Sequence, residues 1–164
     1  MTLVSTLARL RSSPVSLFSR AQLGPSFDHA VHGRALARVE PGVYADAVEW
    51  DPLPPWDRYL ARVHAVAARR PQAVFALDSA CALHGLPVLG HPRHVHILAE
   101  ARGRARITGS VQAHFRTDDL VAVSAGEIRA TSAESPAVSL GGAGPTCASP
   151  SAWNGSCATR ASSR

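Results

Sequence analysis

Ser19-Arg-Ala-Gln-Leu-Gly-Pro-Ser-Phe-Asp-His-Ala-Val-His-Gly-Arg-Ala-Leu-Ala-Arg-Val-Glu-Pro-Gly-Val-Tyr44 decides how the rest of this chain is read. Ser19 stands three residues before Gln22, the spacing of a capping box, in which the two side chains satisfy helix amides reciprocally. Gly24 predicts the end of that short helix. Ser26 is placed to cap a second helix running to Gly33, where glycine suits the left-handed position just past a helix end. Residues 35–39 read as extended. Glu40-Pro41-Gly42-Val43 carries proline and glycine at the two middle positions of a type II turn, and Val43-Tyr44 returns as a strand. Two short helices and a hairpin outline a winged helix-turn-helix, whose docking rule sends the second helix into the major groove. The exposed candidates on that helix are Asp28, His29 and His32, with Ser26 at its start. It is a poor set for phosphate contact, which favours arginine and lysine. Arg34 and Arg38 flank the helix end and the hairpin and alternate to one face with Leu36. Both suit backbone phosphate contact, and both equally suit solvated edge positions.

Composition is compatible with that outline. The 164 residues allow one domain or two small ones. Hydrophobic residues make up 46% and aromatics only 5%, so a core must be built from Ala, Val and Leu. The net charge is +5, and all 17 basic residues are arginine. Guanidinium pairs with phosphate bidentately, so the excess suits a polyanionic partner, although it also serves solubility. Cys81, Cys147 and Cys157 form no close pair. They argue against a disulfide framework and fit a reducing, cytoplasmic compartment. No apolar run approaches the ~18 residues of a membrane span. Residues 1–27 hold no acid and three arginines, which is also a transit-peptide composition. Leu3, Val4, Leu7 and Leu10 equally suit a first helix over 2–10, and the capped pattern running on from it favours the helix.

After a connector at 46–55, stiffened by Asp51-Pro-Leu-Pro-Pro, a helix is predicted from Trp56 to Arg69. Its apolar stripe is Trp56, Leu60, Val63 and Ala67, with Trp56 as a core anchor. Residues 73–77 read as a strand. Asp78 or Ser79 is placed to cap a helix ending at Gly85, with Cys81 inside it as a buried small hydrophobe. Residues 93–98 alternate, with His94 and His96 on one face and Val95 and Ile97 on the other. Val111, Ala113 and Phe115 alternate again and predict a hairpin with that strand. Arg102 to Arg106 forms a basic turn. Residues 121–123 and 127–129 are two more extended pieces. From about 133 the chain is Ser, Gly, Ala and Pro without period, as expected of a disordered tail.

The constellations that carry chemistry are weak. His84, His91, His94 and His96 lie close in sequence, but no cysteine or carboxylate stands beside them at a conventional metal spacing, so no metal is expected. Asp78, Ser79 and His84 lack the Gly-x-Ser-x-Gly elbow of a serine hydrolase. Gly141-Gly-Ala-Gly144 lacks the lysine of a phosphate-binding loop. Asp118-Asp119 reads as a turn. No catalytic residues and no cofactor are expected.

Several stretches together resemble the AbiEi-like antitoxin family of type IV toxin–antitoxin systems, in particular its actinobacterial antitoxin-domain members. They are residues 18–23, 33–44, 77–87 and 95–97, with Thr131-Ser132. The specific pieces are the Arg-x-x-Pro-Gly-Val-Tyr run ending at Tyr44 and the Ser-Ala-x-x-Leu-His-Gly-Leu-Pro run from Ser79 to Pro87. The resemblance implies an α+β chain: a winged helix-turn-helix over 1–46, a small α+β domain over 56–132 and a tail over 133–164. It implies a non-enzymatic, DNA-binding autorepressor of its own promoter, with a nucleotidyltransferase-like toxin as possible partner. Arg34 and Arg38 become DNA-proximal wing residues beside Ser26, His29 and His32. Relatives usually carry arginines in the reading helix, and continue after Thr-Ser into an Asp-Leu-Ala helix and often an endonuclease-like domain. Residues 133–140 keep that rhythm without those residues, which points to a frameshift near Glu134 and a truncated remnant. The alternatives are a fragment of an endonuclease-type protein lacking its catalytic domain, and a toxin-neutralising interaction module that does not touch DNA.

Overall fold

The computed structural model describes residues 10–88, 90–99, 105–115, 122–125 and 127–132. The expected helix over 2–10, the basic turn, Asp118-Asp119 and the tail lie outside these residues, apart from their edges. The protein is α+β, and its described residues form two sheets.

The first sheet is built from β1 (Leu17–Ser19), β2 (Leu36–Glu40) and β3 (Val43–Asp46), in the order β1-β3-β2 and antiparallel throughout. Between β1 and β2 lie α1 (Arg20–Leu23), a 3-10 turn at Gly24–Ser26 and α2 (Phe27–His32). The capping box forms: the Ser19 hydroxyl accepts from the Gln22 amide at 3.3 Å, and the Gln22 side chain accepts from the Ser19 amide at 2.7 Å. Gly42 has φ +80°, as the type II turn requires.

The end of α2 departs from expectation at both termini. Ser26 makes no capping hydrogen bond, because Pro25 draws it into the 3-10 turn. Gly33 has φ −73°, and the left-handed residue is Arg34 at φ +56°. The Ala35 amide donates to Ala30 and the Arg34 amide to Val31, which is a Schellman closure with arginine at the left-handed position. At Gly33 itself a Cβ would stand 3.2 Å from the His29 carbonyl oxygen, a tight contact.

The 46–55 segment is not a plain connector. Asp46 caps α3 (Ala47–Trp50), accepting from the Val48 amide at 2.8 Å. Then α4 (Pro55–Arg69) begins with proline in its first turn, where no amide partner is lost. Trp56 is 65% exposed and does not anchor the core; Tyr59, 4% exposed, takes that place.

The second sheet has six strands in the order β6-β7-β5-β4-β9-β8, and is far larger than a hairpin wing. Its strands are β4 (Val74–Phe75), β5 (Val95–Leu98), β6 (Arg106–Thr108), β7 (Val111–His114), β8 (Ala122–Ala125) and β9 (Ile128–Thr131). β7 runs parallel to β5, so the expected hairpin between them is wrong; β7 turns back on β6 instead. α5 (Leu77–His84) starts without a side-chain cap, since Asp78 and Ser79 are inside the helix and buried. Gly85 closes it at φ +73°, as predicted. Cys81 is buried and disulfide-bonded, not a free thiol; a count of three rules out full pairing but not one bridge.

α4 is shared by both regions. Tyr59, Leu60, Val63, Val66 and Ala67 pack with Phe75, Leu83, Val95 and Ile97 in the main core. Ala61 and Ala65, one turn apart, pack with Val15, Val39, Val43 and Ala45 of the smaller sheet. Alanine at both positions lets that sheet approach the helix closely.

Candidate nucleic-acid interface

Phe27 orients α2. It is buried and meets Tyr44 edge-on, ring centroids 4.9 Å apart at 72°. With that side fixed inward, Asp28, His29 and His32 are exposed, and Ser26, Arg34 and Arg38 are exposed as well. Arg38 stands directly opposite Tyr44 in the β2–β3 pair. Directly opposed residues of an antiparallel pair share a face. Arg38 therefore lies on the side of the hairpin against which α2 packs. Arg34 is exposed at the closure of α2, just before β2.

Two of these side chains are engaged locally. His32 Nδ1 lies 2.6 Å from the Asp28 carbonyl. A carbonyl only accepts, so Nδ1 carries the hydrogen and Nε2 is left to face outward. Asp28 is paired with Arg20 at 3.7 Å, both 70% exposed, a contact of little energetic weight. Arg20 also lies over the Phe27 ring at 4.9 Å. Arg20 is not among the residues that the helix-turn-helix pattern singles out. Its signal was present, because a residue in the first turn of α1 lies close to the start of α2 across a three-residue turn.

The hairpin turn is not free. The register slips between Arg38 and Glu40, so the in-out alternation breaks and Val39 and Glu40 are both buried. Val39 enters the small core. Glu40, 3% exposed, accepts from Arg62 Nε of α4 at 3.1 Å and from the Ser110 hydroxyl of the β6–β7 turn. Arg62 also donates to the Arg93 carbonyl at 2.9 Å. The Glu40 end of the hairpin is thus clamped to the six-stranded region, and the exposed cations lie toward α2.

The larger region holds a second polar cluster, mostly buried. The His96 amide donates to the Ser79 hydroxyl at 2.8 Å, Ser79 bonds to the Tyr59 hydroxyl at 2.8 Å, and Tyr59 donates to the His94 carbonyl at 3.1 Å. This chain of donors consumes the Ser79 hydroxyl, which is fully buried. His84 points elsewhere, 2.8 Å from the Thr131 carbonyl, so Asp78, Ser79 and His84 are not brought together as a triad. The His96 and His114 rings stack with a nitrogen–nitrogen distance of 2.8 Å, and His96 Nε2 lies 3.8 Å from Asp78. Burial lowers the pKa of His96 to about 4, helped by the nearby His114 and His94. Burial also lowers His114 and raises Asp78. His114 was missed from sequence because its approach to His96 depends on the parallel β5–β7 register, in which His96 pairs with Gln112. Among the described residues, no group of three or more His, Cys, Asp or Glu is arranged to hold a metal ion. No helix among them is long and apolar enough to cross a membrane.

No protein-family model, no curated protein and no solved structure matches this chain.

Proposed function

We propose that the protein is a DNA-binding, antitoxin-like transcriptional regulator whose first 46 residues act as a winged helix-turn-helix. The observation that carries this reading is the joint exposure of Arg20, which lies against Phe27 of α2, of Arg34 at the closure of α2 and of Arg38 on β2. The strand order β1-β3-β2 around two short helices is the arrangement such a motif needs, and supports the reading further. In it, α2 enters the major groove with His29 and His32 toward the bases and Ser26 at the phosphates. The three arginines neutralise phosphate. The described 56–132 portion serves as a body, not as catalytic machinery. A nucleotidyltransferase-like toxin is the partner this reading implies.

A gel shift on the protein's own promoter tests it. With about three phosphates neutralised per chain, affinity should fall about forty-fold between ~50 and ~200 mM salt. Arg38→Ala should reduce the slope of log affinity against log salt by about 1. Absence of binding at the lower salt would sink the repressor reading. Co-purification with a toxin would then support the interaction module, and its absence the fragment of an endonuclease-type protein.

A further inference from the structure

We infer that the cleft between the start of α4 and the residues Val88, Gly90, His91 and Pro92 binds a small anionic ligand with a flat ring, of the size and chemistry of a nucleoside monophosphate. The cavity measures about 450 Å³, within the usual size of small-molecule sites. Trp50 and Trp56 line it, and Trp56 is mostly exposed although it stands in the first turn of a helix otherwise rich in buried residues. Arg58, Arg62 and His91 line it as well, and none of the ten described residues that line it is acidic. Arg58 is held ready: its Nη2 donates to the Asp51 carbonyl at 2.7 Å, and its guanidinium lies 5.6 Å from the centre of the Trp50 ring. Its Nε is buried and has no hydrogen-bond partner among the described residues. A buried donor without a partner is uncommon, so the protein does not use up the hydrogen-bonding capacity of this guanidinium. Tryptophan faces stack on planar rings, and guanidinium groups pair with phosphate. A ligand carrying both a ring and a phosphate uses both halves of the cleft, whereas inorganic phosphate or a neutral nucleoside uses one. This site is separate from the α2–β2 edge and does not depend on whether that edge binds DNA.

The test uses the full chain carrying Trp153→Phe, so that emission comes from Trp50 and Trp56. Its tryptophan fluorescence is titrated with AMP, GMP, CMP and UMP, and in parallel arms with inorganic phosphate and with adenosine. A saturable change with at least one nucleotide is expected, with phosphate and adenosine each about tenfold weaker or worse. Arg58→Gln and Trp56→Leu should each weaken the nucleotide by about tenfold, followed by calorimetry and with the thermal midpoint checked. Trp56 is exposed, so its replacement leaves folding intact even if Arg58→Gln disturbs the Asp51 contact. Arg62 is left unchanged because it also holds Glu40. No saturable response to any of the four nucleotides overturns the inference. So does equal affinity for phosphate or adenosine alone, or unchanged nucleotide affinity in Trp56→Leu.

Discussion

The two regions of this molecule treat the same residue types in opposite ways. In the small sheet with its two short helices, the imidazoles and most guanidiniums face outward: His29, His32, Arg20, Arg34 and Arg38 are all exposed. In the six-stranded region, His96 and His114 are drawn in and hydrogen-bonded to each other. The small region has a core of a few Val and Ala side chains and borrows Ala61 and Ala65 from α4. The large region surrounds Phe75, Leu60 and Leu83. The His96–His114 pair is therefore consumed internally, whereas the small region keeps its imidazoles at the surface; in the larger region the accessible polar groups are those of the cleft, Arg58, Arg62 and His91. A histidine cluster in a sequence carries no functional meaning until its burial is known.

The sharpest way to break the comparison is to damage the large core and watch the small one. Phe75→Ala removes a buried ring at the centre and should cost about 3–5 kcal/mol in urea unfolding. If α4 truly joins the two cores, amide exchange in β2 and β3 accelerates together with that in β5. Unchanged protection in the hairpin would show two independent units.

Next in size is the clamp between them. Arg62→Ala leaves the Glu40 carboxylate buried without its cation, at a cost of about 3 kcal/mol. Here the loss should be uneven: hydrogen exchange rises in β2–β3 while β5 and β7 keep their protection. A uniform loss would mean that Glu40 and Arg62 support the whole fold and not the joint.

Acid should single out the large region. The folded-state pKa of His96 is lowered from 6.5 to about 4. Between those values the unfolded chain binds more protons than the folded one, so stability falls as pH drops through this window. His114, also lowered by burial, acts in the same direction. Asp78, raised by burial, acts in the opposite one, since the folded state then holds its proton more readily. The loss from His96 is about 2 kcal/mol, allowing for coupling with its neighbours. His96→Gln should flatten the urea midpoint between pH 6.5 and about 4; an equally steep profile would remove His96 as the cause.

The smallest effect separates stability from binding in the small region. Arg34 occupies a left-handed conformation that costs a non-glycine residue about 1 kcal/mol. Arg34→Gly should therefore raise the thermal midpoint slightly and, on the proposed DNA-binding reading, weaken the promoter gel shift. A lower midpoint would show that the arginine side chain has a structural contact worth more than the strain.

Local chemistry explains what was readable in advance. The Ser19–Gln22 box, the turn at Gly42, the end of α5 at Gly85 and the alternation of Val95 and Ile97 all depend on neighbours a few residues apart. So do the positions of the exposed candidates Ser26, His29, His32, Arg34 and Arg38 around α2 and its hairpin. The misread points share a different cause. Trp56 fits the apolar stripe of α4, but its place in the first turn leaves it uncovered, and Tyr59 fills the core instead. Glu40 reads as a turn residue, but a one-residue register slip turns it inward toward an arginine twenty-two positions away.

By itself, the sequence determined the mixed α+β character, most of the element positions and the arginine-rich surface. These follow from short-range periodicity, turn chemistry and composition. Only the tertiary structure decided that β7 lies parallel to β5, that one helix serves two cores, and which histidines are buried. It also decided that Trp50, Trp56, Arg58 and His91 share a cleft. Those outcomes depend on pairings between distant segments, which are set by the total burial the whole chain can achieve, and no window of local residues contains that information.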